Sequence, residues 1–368
     1  MSTDFLHWLE ISRSALLHNL SQYRNIVSPK TKIMTMVKAN AYGHGLPEIS
    51  DILQNKVDYF AVNTLPEAMT IRAIDKKTPV LIAAPIPPSC FRVASKNHLS
   101  LCVPSLEYLG ELQTLKLPIT VHLKINTGTN RLGLSLSELP TALKILRRTP
   151  RLKVEGLYTH FHSSDSGSPQ SLIQLDIFNQ AVSRTKYYFP SCLAHCSSSS
   201  SALLWPQTQL DMIRTGIALY GYWPDEFVKI HAPKNFTLRP VLSWMCHPVQ
   251  IRKIPAGETV GYSATFTYKK PGVMATLPIG YSDGLDRKLS NTGRIWTKGV
   301  YCPFIGRVAM NFTTIDISGI SKKLVTNQST IELLSSRVTA DEIAELTDTI
   351  NYEVLSRINP NIPRIIVK

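Results

Sequence analysis

The sequence has few features of a membrane or secreted protein. In its 368 residues no apolar run approaches the roughly 20 residues that a membrane-spanning helix needs. The six cysteines are scattered, with no C-x-x-C pair and no spacing typical of a disulfide framework. Residues 1–4 lack the basic and then apolar pattern of a secretion signal. We therefore expect a cytoplasmic protein with reduced thiols and no membrane partner.

Basic residues are in excess but are not concentrated. The net charge is +14, and Lys and Arg occur along the whole chain in short pairs such as Lys76-Lys77. There is no basic block with interleaved aromatic residues and no helix-turn-helix or RNA-binding signature, so we do not expect a nucleic-acid partner. A basic surface that attracts anionic ligands is the better interpretation.

Apolar runs recur at fairly even intervals through the first two thirds of the chain. They predict eight strands, at residues 32–38, 59–62, 79–83, 99–103, 119–125, 152–161, 192–196 and 212–220. Helical patterns lie between several of them, at 65–74, at 135–148 behind a Ser135…Glu138 capping box, and at 170–188. Alternating strands and helices predict a parallel sheet, and eight such units favour a closed (β/α)8 barrel.

The pattern changes near residues 223–235, where Pro, Asp, Lys and His collect in a linker. Short strands with turn signals follow, together with one helix at 339–347 behind a Thr339…Glu342 capping box. We therefore expect a barrel domain over residues 1–233 and a mostly β domain over residues 234–368.

A lysine stands at the end of the first predicted barrel strand. Lys38 follows an apolar run and precedes a loop that contains Gly43 and Gly45. Burial depresses the pKa of an amine, and a neutral amine can form an imine with a carbonyl ligand. A lysine that merely reaches out of the strand end would explain these residues equally well.

The last two predicted strands lead into the serine run Ser197–Ser201 and into Arg214-Thr215-Gly216-Ile217. Hydroxyl groups and backbone N–H groups at such positions make a phosphate cradle, although a polar loop alone is the commoner explanation. In a barrel both segments and Lys38 lie at the same end. A phosphate cradle and an imine-forming lysine together suggest pyridoxal phosphate (PLP).

Several motifs carry a specific resemblance. They are V-K-A-N-A-Y-G-H-G at residues 37–45, K-x-x-T-G-x-x-R-L-G at 124–133, E-G-x-x-T-H-F at 155–161, R-x-G-I-A-x-Y-G at 214–221, G-Y at 261–262, P-I-G-Y-x-D-G at 278–284 and G-R-V-x-M at 306–310. On these motifs the chain resembles the alanine racemase family over nearly its whole length. The resemblance implies a PLP-dependent isomerase that interconverts L- and D-alanine and supplies D-alanine for peptidoglycan.

The resemblance assigns two catalytic groups. Lys38 would bind PLP covalently and act as the base on one face of the substrate, and Tyr262 from a second subunit would serve the other face. Because the two residues lie in different domains, the resemblance implies a homodimer with shared active sites. The cofactor-binding residues would be Lys38, Tyr42, Arg131, His160, Ser199, Arg214, Gly216 and Ile217.

Other positions would bind the substrate. Arg131 and Met310 would hold the carboxylate of alanine, and Lys124 would lie beside Arg131, carbamylated in some relatives. The entrance would be lined by Tyr281, Arg287 and Arg307. The resemblance also implies that the guanidinium of Arg214 faces the pyridine nitrogen of PLP. It would leave that ring largely unprotonated and so suppress transamination.

Alternatives remain. His160-x-His162 also occurs in metal-dependent barrel hydrolases, which need further His and Asp ligands, so we expect no metal. A PLP-binding regulatory protein would share the barrel and the lysine but not the second domain. A racemase of broad specificity, or a decarboxylase-like PLP enzyme, would share both.

The chain also departs from the family pattern at several positions. Asn126 and Asn311 stand where relatives usually carry Asp, and Thr129 replaces the usual Met. Ser198 replaces an Asn, and Pro360 falls where some relatives have a tyrosine. The two changes from Asp to Asn remove negative charge around the expected pocket, which bears on rate and on specificity for alanine.

Overall fold

The computed structural model describes residues 4–320 and 325–368. The expectation that the first residues form no secretion signal rests partly on residues 1–3, which lie outside these ranges. By backbone contacts the described residues form two units. The barrel unit comprises Leu17–Ala41 and Ile49–Leu238. The second unit comprises residues 4–16, Tyr42–Glu48, 239–320 and 325–368.

The strands are, in chain order, β1 (His7–Ser12), β2 (Lys32–Met36), β3 (Tyr59–Val62), β4 (Val80–Ile82), β5 (Leu99–Val103), β6 (Ile119–Lys124), β7 (Leu152–Tyr158), β8 (Leu193–His195), β9 (Met212–Thr215), β10 (Leu242–Cys246), β11 (Gln250–Ile254), β12 (Thr259–Val260), β13 (Phe266–Thr267), β14 (Gly272–Leu277), β15 (Arg294–Thr297), β16 (Val300–Pro303), β17 (Thr313–Asp316), β18 (Ile331–Leu334) and β19 (Arg364–Val367).

The helices are α1 (Arg13–Ile26), α2 (Lys38–Tyr42), α3 (Leu46–Leu53), α4 (Leu65–Ile74), α5 (Phe91–Lys96), α6 (Leu106–Thr114), α7 (Leu139–Arg147), α8 (Gln170–Tyr188), α9 (Ser199–Leu204), α10 (Glu226–His231), α11 (Ala340–Thr347) and α12 (Asn351–Ser356). Among the described residues, no helix is long and apolar enough to cross a membrane.

The barrel unit contains an eight-stranded parallel sheet in the order β8-β7-β6-β5-β4-β3-β2-β9. Two backbone hydrogen bonds join its end strands: the Asp211 N–H donates to the Ala194 carbonyl (3.1 Å), and the Arg214 N–H to the Ser197 carbonyl (3.0 Å). Consecutive strands pair in order around the sheet, which is the arrangement of a (β/α)8 barrel. The predicted fold is confirmed.

Part of the barrel sheet is packed by apolar side chains. Side chains from neighbouring strands form one buried cluster, which consists of Met34, Tyr59, Ala61, Leu81 and Met212. β3, β4 and β5 are buried at every position, as expected for parallel strands covered on both faces. This packing fixes the carboxyl ends of the strands, where a barrel carries its functional side chains.

The second unit is built mainly of antiparallel strands. Its largest sheet has the order β16-β15-β18-β10-β1-β19, and β11, β14 and β17 form a smaller one. β1 pairs antiparallel with β10 and parallel with β19, so the first strand of the chain belongs to this unit. The sequence places residues 1–233 in one barrel domain; in the structure residues 4–16 contribute to the second unit, and the units change after Leu238.

Candidate functional site

The segment after β2 winds in the left-handed sense. Ala39, Asn40, Ala41 and Tyr42 have φ between 52° and 54°, although none is glycine. Left-handed helical backbone costs L-residues roughly 1–2 kcal/mol each, so surrounding contacts must hold this turn. The Ala39 N–H donates to Oε1 of Glu67 (2.6 Å) and the Ala41 N–H to the Val37 carbonyl (2.9 Å). The hydrogen bond to Glu67 therefore holds the backbone of Ala39, the residue that follows Lys38.

The environment of Lys38 favours its neutral form. Burial lowers the pKa of the amine, and the positive charge of Arg131 lowers it further, while the negative charge of Glu67 opposes both. A lysine with a lowered pKa offers more unprotonated amine at neutral pH, which is the form that attacks carbonyls and accepts protons.

Lys124 ends strand β6 and is only 8% exposed. Its Nζ lies 4.7 Å from the centre of the Tyr158 ring. Burial lowers the pKa of Lys124 to about 8; Cys102 raises it, and the positive charges of Arg214, Arg131 and Lys38 lower it. Lys124 and Lys38 therefore belong to one group of interacting cations.

His160 follows β7 and is partly buried. Burial lowers its pKa to about 3, together with the positive charges of Arg214, Lys124, Arg131 and Lys38. The imidazole is therefore neutral at physiological pH. The sequence places His160 and His162 on one strand, but β7 ends at Tyr158 and both histidines lie in the segment that follows it.

Arg214 lies on β9 with its guanidinium buried. Its two terminal nitrogens donate to the backbone carbonyls of Thr159 (2.7 Å), His195 (2.8 Å) and Cys196 (3.1 Å). These bonds fix the guanidinium at the carboxyl ends of β7 and β8. The Arg214 charge lies 5.6 Å from the centre of the Tyr158 ring.

Ser199 and Gly216 are brought together across 17 residues of chain, because the Gly216 N–H donates to Oγ of Ser199 (2.8 Å). Ser199 begins α9, behind a Ser198 cap. The sequence predicts a last barrel strand over 212–220; the strand ends at Thr215, and Ile217–Tyr220 forms a 3-10 helix after Gly216. Ser199, Gly216 and Ile217 are thus buried neighbours at one end of the barrel strands.

The remaining predicted residues belong to the second unit. Tyr262 begins a short 3-10 helix, Tyr262–Ala264, and is 73% exposed. Tyr281 and Met310 are held near each other, since the Tyr281 N–H donates to the Ala309 carbonyl (3.0 Å). Gly280 permits this approach: a Cβ there would lie 2.3 Å from the Met310 carbonyl oxygen.

Two of the three predicted entrance residues line the same groove, and the third does not. Tyr281, Arg287 and Pro360 line one open groove of about 510 Å³ in the second unit. Arg307 does not line it, and its Nε is a buried atom without a hydrogen-bond partner among the described residues.

Tyr42 lies in the second unit, with its ring 6.2 Å from that of Tyr352. Burial raises the pKa of Tyr42 above its ordinary value, so its hydroxyl is protonated at neutral pH. The sequence motifs assign no role in the site to Tyr352 or to Glu67. Each is separated from its partner along the chain, so only the fold reveals the contact.

The positions that depart from the family pattern have local roles. The side-chain carbonyl of Asn126 accepts the N–H groups of Gly128 and Asn130 (both 3.1 Å), which shapes the loop before Arg131. Thr129 donates its hydroxyl to the His160 carbonyl (2.6 Å). Asn311 donates its amide to the Ser282 hydroxyl (3.0 Å). None of these contacts needs the carboxylate that relatives carry at two of the positions.

Within residues 4–320 and 325–368, no three His, Cys, Asp or Glu side chains are grouped so that they could hold a metal ion. His162 instead contacts the hydroxyl of Ser163 (2.5 Å). What the barrel does assemble is a cation cluster of Lys38, Lys124, Arg131 and Arg214, whose charges all lower the pKa of His160.

Comparison with known proteins assigns both parts of the chain. Residues 11–224 match the model of the alanine racemase N-terminal domain, and residues 241–366 match that of the C-terminal domain. An alanine racemase of Leptospira interrogans serogroup Icterohaemorrhagiae serovar copenhageni is 35% identical, covering 100% of this chain and 97% of the relative. One of Syntrophobacter fumaroxidans is 34% identical, covering 96% of each.

Solved structures agree with this. Alanine racemase of Clostridium difficile 630 superposes with a TM-score of 0.92 at 28% identity, covering 99% of this chain and 96% of that one. Alanine racemase of Bacillus anthracis with bound L-Ala-P gives 0.91 at 28% identity, covering 100% and 96%. The family predicted from the motifs is confirmed: this chain belongs to the alanine racemase family.

Proposed function

We propose that this protein interconverts L- and D-alanine with PLP as its cofactor, using Lys38 and Tyr262 as acid–base groups on opposite faces of the substrate. Family membership over both domains supports the activity. The observation that carries the proposal is the amine of Lys38, which has a lowered pKa and stands among cations at the carboxyl ends of the barrel strands.

The residues present fit PLP by their chemistry. PLP has a phosphate, a phenolic oxygen and an aldehyde, so it needs cations, hydrogen-bond donors and a reactive amine. The cation cluster supplies the positive charge, and its mutual repulsion is relieved by an anionic ligand. Ser199 with the backbone of Gly216 and Ile217, and Tyr42, would hold the phosphate. Lys38 would form the covalent bond, and Arg131 would face the phenolic oxygen.

When bound, PLP withdraws electrons from the Cα atom of an attached amino acid and so weakens its C–H bond. The protein residues then move the proton. Lys38 would accept it on one face of Cα and Tyr262 would donate one on the other, which inverts the configuration without any movement of a single base. His160 and Arg214 would support the phenol of Tyr262.

Substrate binding would use two further groups. Arg131 is a guanidinium suited to a carboxylate, and the exposed Met310 would offer its backbone N–H to the same group. Tyr281, Arg287 and Arg307 would line the entrance. The lowered pKa of Lys124 favours the neutral amine, which is the form that reacts with carbon dioxide, and this supports carbamylation of Lys124 beside Arg131.

A head-to-tail homodimer is part of the proposal. Tyr262 is 73% exposed, and Met310 (56%) and Phe312 (52%) are exposed in the same unit. Large side chains left in solvent together indicate a surface that another molecule covers. We propose that this molecule is a second copy, whose Lys38 approaches Tyr262. The six free thiols support a reducing compartment, as in a cytoplasmic enzyme that supplies D-alanine for peptidoglycan.

The test combines spectroscopy with isotope exchange. Purified protein reconstituted with PLP should show the absorbance band of PLP bound to a lysine amine, and Lys38→Arg should lack it. In deuterated water, D-alanine should become L-alanine carrying deuterium at Cα. Retention of protium at Cα would exclude a racemase even if PLP binds. A panel of alanine, serine, lysine and arginine would decide between an alanine racemase and an enzyme of broad specificity.

A further inference from the structure

A line of hydrogen bonds runs from Arg214 among the barrel strands to Glu155. A terminal nitrogen of Arg214 contacts Nδ1 of His195 (3.2 Å), and Nε2 of His195 contacts Nδ1 of His122 (3.0 Å). Nε2 of His122 contacts Oε2 of Glu155 (3.1 Å). Both imidazoles are fully buried. Of the four residues in this line, only Arg214 has a role in the proposed reaction.

The chemistry of the two ends determines how every proton in this line is placed. A guanidinium can only donate, so Nδ1 of His195 must accept and its single proton sits on Nε2. That proton points at Nδ1 of His122, which must accept in turn, so His122 carries its proton on Nε2. The carboxylate of Glu155 can only accept, and it completes the line. Donation runs in one direction throughout.

Burial supports a neutral imidazole at His195. Burial together with the positive charges of Arg214 and Lys124 lowers the pKa of His195 well below its ordinary value. Burial raises the pKa of Glu155, but hydrogen bonds from His122, Ser100 and Tyr59 lower it by more, so Glu155 stays ionised. A neutral histidine has one donor and one acceptor, which is the capacity that this line requires.

The surrounding residues pack closely against both rings. The ring of His195 stacks on that of Tyr158, with ring centres 5.1 Å apart and planes 8° from parallel. His122 lies against Gly156 on the neighbouring strand, where an added Cβ would be 2.1 Å from its Nδ1. Any larger residue at 156 would displace the imidazole. The packing around His122 and His195 and their hydrogen bonds thus favour the same ring orientations.

We propose that Glu155 and His122 are positioning residues for Arg214 and act on it through His195. The carboxylate fixes the direction of donation, and this keeps an acceptor in front of one terminal nitrogen of Arg214. A donor in place of that carboxylate would reverse the line and turn an N–H of His195 toward the guanidinium. The proposal rests on the proposed function only where it assigns Arg214 to the cofactor site.

The first measurement needs no cofactor. Protein without PLP, labelled with [15N]histidine, should show His122 and His195 as neutral rings protonated on Nε2 at pH 7, with His122→Gln and His195→Gln used for assignment. A proton on Nδ1 of His195, or a cationic His122, would overturn the proposal. The protonation sites are measured without any assay of activity. They therefore test this proposal even if the proposed function is wrong.

The second measurement compares variants in the same strand. Glu155→Met removes the acceptor, whereas Glu155→Gln retains a carbonyl oxygen that can accept from His122. Lys153→Met introduces the same side chain at an exposed position of β7. In Glu155→Met the 15N signals of His122 and His195 should no longer show both rings protonated only on Nε2. Its kcat should fall about tenfold, the lower end of the range for outer partners of metal-binding imidazoles.

Glu155→Gln should restore the imidazole pattern and most of the activity, and Lys153→Met should leave both unchanged. A purely structural role for Glu155 would lower the melting temperature without altering the protonation sites. Unchanged imidazole signals and unchanged kcat in Glu155→Met would refute the proposal. If Glu155→Met does not fold, the protonation sites in the parent protein decide alone.

Discussion

The two units present their site residues in opposite ways. In the barrel unit Lys124 and Arg214 are buried, and the backbone beside Lys38 is held by Glu67. In the second unit Tyr262, Tyr281 and Met310 are exposed. The barrel residues shift one another's pKa values within one chain, whereas the exposed residues would be covered only in the proposed dimer. In the proposed site, one half is preorganised by burial and charge, and the other would depend on dimer assembly.

Replacing Lys38 tests the preorganised half and should have the largest effect. Lys38→Ala removes both the covalent attachment and one acid–base group, so kcat/KM for each enantiomer should fall by at least the roughly 10²–10⁴-fold that one such group contributes. Polarimetry or a coupled assay in both directions measures this. Racemisation of alanine by Lys38→Ala at the parental rate would refute the assignment.

Tyr262→Phe tests the exposed half. Inversion should fall by about 10²–10⁴-fold because the second acid–base group is lost. The enantiomer whose Cα–H faces Lys38 should still exchange that hydrogen with deuterated water and keep its configuration. NMR of each alanine enantiomer separates exchange from inversion, and full inversion at the parental rate would contradict the role of Tyr262.

Mixing the two inactive variants sharpens the comparison between the halves. If each site takes Lys38 from one subunit and Tyr262 from the other, a mixed dimer of Lys38→Ala and Tyr262→Phe has one intact site. Unfolding and refolding equal amounts together should then restore about a quarter of the parental activity, since half of the dimers are mixed. No recovery, with mixed dimers demonstrated by mass spectrometry, would exclude shared sites.

Glu67→Gln should change the barrel half by a smaller amount. The negative charge of Glu67 raises the pKa of Lys38 against the effects of burial and Arg131, so its removal should lower that pKa. A titration of [15N]lysine-labelled protein without PLP should show the Lys38 signal moving to lower pH. Asp176→Asn, on the exposed side of α8, is the matched control and should leave the signal in place.

Lys124 should produce the smallest change, in stability. Its pKa is about 8 in the folded state against 10.5 ordinarily, so the unfolded chain binds more protons between these values and stability should rise with pH across that interval. Lys124→Met should lack this rise. The melting temperature of Lys124→Met minus that of the parent should therefore decline from pH 7 to pH 10 in buffer without bicarbonate. If this difference in melting temperature stays constant, it contradicts the lowered pKa of Lys124.

Much of the fold could be predicted because buried parallel strands are continuous apolar runs. The bounds of β3 and β5 and of α4 and α8 agree with the sequence prediction. β9 was predicted too long, since the apolar run through Ile217 continues past Gly216, where the backbone turns into a 3-10 helix. β1 was not predicted, because its partners β10 and β19 lie far along the chain.

The site could be predicted less completely. Motifs predict catalytic roles for Lys38 and Tyr262, but spacing cannot reveal that Ala39, Asn40 and Ala41 form a left-handed turn, since alanine favours right-handed helix. Contacts between distant segments were also hidden. His122 and His195 are 73 residues apart, and the Ala39–Glu67 contact depends on the packing of β2 beside β3.

The left-handed turn also bears on when the enzyme matures. An L-residue chain outside the fold does not keep four such residues in a row, because each of them relaxes to a right-handed or extended conformation. The contact of Ala39 with Glu67 forms only once β2 and β3 have paired. An unfolded chain lacks the burial and the neighbouring Arg131 that lower the pKa of Lys38, so we expect the amine to gain its reactivity toward aldehydes only as the barrel forms.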